Sequence, residues 1–117
     1  MSTDPIRELT EAQRAFAKAR DWEQFHTPRN LAAAMSVEAA EVLEHFQWLT
    51  DAQSAQLDPA RREAVGHELA DVLLYLLRLS DVLGIDLVAA ARVKLALNEA
   101  KYPADKVRGS SLKYDEY

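Results

Sequence analysis

The chain has 117 residues, 49% of them hydrophobic and 28% charged, with a net charge of −5 and no cysteine. That size supports one domain with a modest core, and the composition is that of a soluble helical protein rather than a disordered or fibrous one. The acidic balance, with no basic run beyond Arg61-Arg62, argues against a nucleic-acid polymer as partner and admits a small anionic ligand only if metal ions mediate. Without cysteine there is neither a disulfide framework nor a thiolate metal site, which is compatible with the cytoplasm. The first residues, MSTDPIRELTEAQ, hold no apolar h-region, and no stretch approaches about eighteen unbroken apolar residues. The expectation is a cytoplasmic protein with no membrane partner.

The predicted elements follow from their caps. Asp4-Pro5, an N-cap followed by proline at the first helical position, opens a helix to about Ala19, with Ile6, Leu9, Ala12 and Phe16 as its apolar stripe. Asp21–Phe25 is a connection carrying Trp22. Thr27-Pro28 opens a second helix to about Leu49, whose apolar positions are Leu31, Ala34, Met35, Val42, Phe46 and Leu49. Thr50–Leu57 is a loop with room for one helical turn. Asp58-Pro59 caps a third helix that stops at Gly84, a favourable residue just past a helix end. Asp86 caps a fourth, ended by Pro103, and Ala104–Tyr117 reads as a polar tail. The predicted fold is all-α: four main helices in an antiparallel bundle over residues 1–103, completed by oligomerisation.

The third helix poses a chemical problem. Across His67–Val82 it is apolar on nearly every side, the pattern of a central buried helix. Yet Glu68 and Asp71 stand amid Leu69, Val72, Leu73 and Leu76, where an ionised carboxylate needs a cation or hydrogen-bond donors. The second helix carries a matching pair, Glu38 and Glu41. Residues three apart lie about 60° apart on one helix face. The first pair lies about 14 Å before the end of its helix and the second about 16 Å after the start of its own. An antiparallel hairpin therefore brings both pairs to one level, and four carboxylates raise one another's pKa unless cations sit between them. All-oxygen ligands suit Mg²⁺, which keeps waters for a phosphate substrate. Zinc suits less, because His26, His45 and His67 share no ligand spacing. The alternative is ordinary: paired acids on amphipathic helices are often solvated faces.

The pattern Glu38-x-x-Glu41 … Glu68-x-x-Asp71 resembles the signature of the all-α nucleoside triphosphate pyrophosphohydrolases, the MazG-type superfamily. Further blocks are similar to its dCTP-cleaving branch: DWEQFHTPRNL (Asp21–Leu31), EHFQW (Glu44–Trp48), ELADVLLYL (Glu68–Leu76), Lys94…Asn98…Lys101-Tyr102-Pro103 and the terminal SSLKYDEY. The resemblance implies that Glu38, Glu41, Glu68 and Asp71 hold Mg²⁺ against a triphosphate while water attacks the α-phosphorus and pyrophosphate leaves. Glu41 is the carboxylate assigned to activate that water. Lys94, Asn98 and Lys101 share one helix face, which alone is as well a solvated stripe; the resemblance makes it a phosphate clamp, joined by Tyr102. Trp22, His26 and Trp48 alone read as packing residues; the resemblance places them around the pyrimidine. Tyr75, one turn beyond Asp71, would pack under the deoxyribose. His45 and His67 read as structural, and Arg29-Asn30 as setting the orientation of the His26 loop.

A helix apolar all round needs a neighbour on its second side, so a homo-oligomer is expected, a tetramer or a dimer, with Trp22 or His26 serving a neighbouring subunit's site. The expected activity is Mg²⁺-dependent hydrolysis of dCTP, including 5-modified forms, to the monophosphate and pyrophosphate. The alternatives are a different base preference, dUTP or an oxidised purine, and a non-catalytic helical assembly module.

Overall fold

In the computed structural model the described residues are 4–110, and among them there is no strand. The caps act as their chemistry dictates. Asp4 Oδ1 accepts from the backbone N–H of Ile6 (3.0 Å) and Arg7 (3.3 Å) and starts α1, Pro5–Ala19. Thr27 Oγ1 accepts from Asn30 N–H at 3.2 Å and starts α2, Pro28–Glu44. Thr50 and Gln53 form a reciprocal capping box on the short α3, Asp51–Ser54. Asp58 accepts from Arg61 N–H at 2.9 Å and opens α4, Pro59–Leu83, which closes on Gly84 at φ 68°, the left-handed region glycine enters without strain. Asp86 caps α5, Leu87–Lys101. No helix among the described residues is long and apolar enough to cross a membrane.

The chain divides into two compact units at Gly84 and Ile85. In the first, α4 packs against both α2 and α1. The α2–α4 pair is antiparallel, as expected. Arg61 Nη1, near the start of α4, donates to the carbonyl of His45 just past the end of α2 (3.1 Å). Arg78 Nε, near the end of α4, donates to His26 Nδ1 just before the start of α2 (3.0 Å). All six apolar positions predicted for the second helix are covered, Leu31 most fully.

Three local expectations change. The second helix ends at Glu44 rather than Leu49, because His45 and Phe46 bond back three residues and the extended backbone of Thr50 must cap α3. The face of α1 that is covered is Ile6, Thr10, Gln13 and Ala17, rotated from the predicted stripe; Leu9, Ala12 and Phe16 are exposed. A polar contact sets that rotation: Gln13 Nε2 donates to the Leu74 carbonyl of α4 at 2.7 Å. In the second unit the predicted polar tail begins with a further short helix, α6, Ala104–Val107; its residues 111–117 lie outside the described residues.

Nor is α4 buried on every side. Leu69 is 54% exposed and Leu73 is also open, while Val65 and Leu77 are buried. Its apolar surface therefore exceeds what α1 and α2 cover.

Candidate active site

The i,i+3 spacing on α2 and the antiparallel pairing with α4 bring carboxylates together. Glu38, Glu41 and Glu68 each offer one oxygen, and these oxygens all lie within 4.8 Å of one another. Oε2 of Glu38 and Oε2 of Glu68 are buried with no hydrogen-bond partner. Among the described residues no lysine or arginine pairs with any of these acids. The consequence is mutual: hydrogen bonding to Glu41, burial, and the charges of Glu41 and Asp71 push the Glu38 carboxyl up to about 7 from an ordinary 4.5. Hydrogen bonding to Glu41 and burial raise Glu68 as well. Orphaned, mutually repelling hard oxygens are the donor set a divalent cation satisfies.

Asp71 stands apart from this trio. It is exposed, acts on Glu38 and Glu68 through its charge, and lines an adjoining cleft of about 170 Å³. That cleft also holds Gln13, Phe16, Trp22, His26, Tyr75 and Arg78. A second hollow of about 250 Å³ shares Trp22, His26 and Tyr75 with it. Trp22 and Phe16 meet edge to face, ring centres 5.7 Å apart, and the Arg20 guanidinium lies 3.6 Å over the Phe16 ring. The cleft thus sets an aromatic wall beside the acid cluster.

The structure thus gathers Trp22, His26, Tyr75 and Asp71 in one cleft of a single chain. Trp48 is elsewhere: it follows the far end of α2 and is 86% exposed. Asn30 Nδ2 donates to the Phe25 carbonyl at 3.0 Å and holds the turn that carries His26, Asn30's part of the role expected of Arg29-Asn30. Lys94, Asn98, Lys101 and Tyr102 belong to the second unit, the first three on α5 and Tyr102 capping its end.

Sequence reasoning missed Arg78. It is only 7% exposed, bonds His26 and pairs with Asp81 at 3.2 Å; Asp81 in turn takes Arg14 at 2.6 Å. The visible signal was an arginine followed three residues later by an aspartate, the two charged residues of the largely apolar run 72–83.

This is an all-α protein in which a trio of carboxylates across two antiparallel helices offers a donor set able to hold a metal ion, beside an aromatic cleft. The MazG-like family matches residues 33–117, and the chain belongs to it. The chain is 42% identical to human dCTP pyrophosphatase 1, covering 95% of this chain and 66% of that protein, and 38% identical to the cattle dCTP pyrophosphatase 1, covering 98% and 70%. It thus spans about two thirds of the human relative's length. Among solved structures it resembles a pyrophosphatase from Archaeoglobus fulgidus, with a TM-score of 0.82 and 40% identity over 88% of this chain and 96% of that one.

Proposed function

We propose that the protein is a nucleoside triphosphate pyrophosphohydrolase that hydrolyses dCTP, including 5-modified forms, to dCMP and pyrophosphate with Mg²⁺, removing unwanted nucleotides. The observation that carries this reading is the carboxylate trio with its two orphaned buried oxygens. The relatives' names supply the substrate.

Glu38, Glu41, Glu68 and Asp71 are the residues that would hold the ion. When bound, a divalent cation supplies charge neutralisation for the triphosphate and for the departing pyrophosphate. Glu41, flanked by Glu38 and Glu68, accepts a proton from the water whose oxygen bonds to the α-phosphorus as the bond to the bridging oxygen breaks. Trp22 and His26 flank the pyrimidine, and Tyr75 packs against the sugar on the side where a 2′-hydroxyl would sit. Trp48 is assigned to the base, and Lys94, Asn98, Lys101 and Tyr102 to the phosphates, from family resemblance. Residues 1–103 form the catalytic domain in this reading.

A second copy of this chain completes the enzyme as a homo-oligomer, dimer or tetramer. Leu43, Leu69, Val93 and Leu95 are each more than half exposed, aliphatic surface that a second copy would cover. Trp48 is then the aromatic available to a neighbouring subunit's site.

The deciding experiment is pyrophosphate release from a panel of dCTP, 5-methyl-dCTP, dUTP and oxidised purine triphosphates, with and without Mg²⁺. Preferential, Mg²⁺-dependent turnover of dCTP supports the proposal; equal or greater turnover of dUTP or a purine removes the base assignment. No turnover of any nucleotide leaves the assembly-module reading.

A further inference from the structure

His26 shares the cleft with the rings of Phe16, Trp22 and Tyr75, and what it can recognise depends on which nitrogen carries its proton. Its surroundings decide that. Arg78 reaches it from α4, with Nε 3.0 Å from Nδ1. An arginine Nε–H only donates, so Nδ1 must be the accepting, unprotonated nitrogen. Protonating Nδ1 would break this bond and set an imidazolium against a guanidinium that is itself 7% exposed.

Arg78 is in turn held in place. Its Nη1 pairs with Asp81 Oδ2 at 3.2 Å, and Asp81 is gripped on both oxygens by Arg14 of α1, Nη2 to Oδ1 at 2.6 Å and Nε to Oδ2 at 3.1 Å. The series Arg14–Asp81–Arg78–His26 therefore ties α1, α4 and the segment before α2 into one hydrogen-bonded line ending at the cleft. Among the described residues His26 Nε2 has no protein partner. Other charges near the ring are Glu23 on the same turn and Asp71 on the cleft wall.

We propose that Arg78 is a positioning residue that fixes His26 as the neutral tautomer protonated on Nε2, so that the cleft meets the base with a hydrogen-bond donor and selects an acceptor edge such as a pyrimidine carbonyl. The recognition half of this inference rests on the dCTP reading; the tautomer half does not. The line places a cationic donor behind the imidazole, where many histidines have a carboxylate or carbonyl that would accept from Nδ1–H and leave Nε2 an acceptor. Reversing the donor reverses which base edge is accepted.

Two measurements on the full chain test it. Long-range ¹H–¹⁵N correlation of the His26 ring in the nucleotide-free wild type at neutral pH is expected to show the Nε2–H tautomer. An Nδ1–H tautomer, or an averaged mixture, overturns the proposal without any variant. In Arg78→Met the ring is expected to average between tautomers, and dCMP affinity to fall about tenfold, the scale of one lost hydrogen bond. Asp81 keeps Arg14 in that variant, which favours folding. A His26 that stays purely Nε2–H in Arg78→Met, or a dCMP affinity that does not change, removes Arg78 from the role. If dCMP fails to bind the wild type, the dCTP reading and the recognition half fall together, while the tautomer result still decides what Arg78 does.

Discussion

Arg14 holds Asp81 with two nitrogens across the α1–α4 interface, and the two residues are unequal partners: the Arg14 side chain is 58% exposed, that of Asp81 15%. The pair keeps the Asp81 carboxyl below its usual range, chiefly through the Arg14 hydrogen bond.

The inequality predicts unequal substitutions. Arg14→Ala leaves Asp81 with Arg78 and loses little, because an exposed cation returns to water. Asp81→Ala strips the covered Arg78 of its counter-charge and is expected to cost about 2 kcal/mol. Urea denaturation of the two variants checks the order; an Arg14→Ala loss equal to or larger than that of Asp81→Ala contradicts it.

The carboxylate trio predicts opposite effects on stability and function. Glu41→Gln is expected to lower turnover roughly a hundredfold or more and to weaken divalent-ion binding. It should also raise the melting temperature of the metal-free protein above pH 7, where Glu38 has released its proton, since one of the crowded charges is gone. Calorimetry with and without EDTA, beside a pyrophosphate assay, reads both. A variant that is less stable without metal and fully active with it would leave the trio no role as a cation site.

The pH dependence follows with its sign. Folded Glu38 keeps its proton up to about 7, whereas the unfolded chain releases it near 4.5. Its contribution to metal-free stability is therefore complete below 4.5 and lost as pH rises through 7, and Glu68 acts in the same direction. His26 runs oppositely: burial and then Arg78 lower its pKa from 6.5, so its contribution is present above 6.5 and fades as pH falls. Melting temperature without metal should thus decline between pH 4.5 and 7. Mg²⁺ should reverse the trend, because it binds the deprotonated trio. In Glu38→Gln/Glu68→Gln the decline should vanish and the His26 slope remain.

Trp48 offers a test of shared sites. At 86% exposed, its truncation to alanine is expected to change the stability of the isolated chain by less than about 0.5 kcal/mol. If a neighbouring copy uses it, KM for dCTP rises in Trp48→Ala, and mixing that variant with inactive Glu41→Gln restores activity through sites that combine the two chains. Unchanged KM assigns Trp48 to the surface.

Much was readable without coordinates. Asp4, Thr27, Asp58 and Asp86 each had to cap a helix, and Gly84 to end one, because those roles depend on backbone geometry within a few residues. The meeting of Glu38 and Glu41 with Glu68 was legible for a similar reason: helical rise converts spacing into height, and an antiparallel hairpin converts matched heights into contact. Tertiary structure alone decided the rotation of each helix about its axis. It turned Gln13 rather than Leu9 or Phe16 of α1 toward α4, set Asp71 on the cleft wall beside the trio, and buried Arg78 against His26. Periodicity marks a face to within several tens of degrees, whereas a hydrogen bond of 3.0 Å between residues 26 and 78 depends on how three helices settle against one another at once.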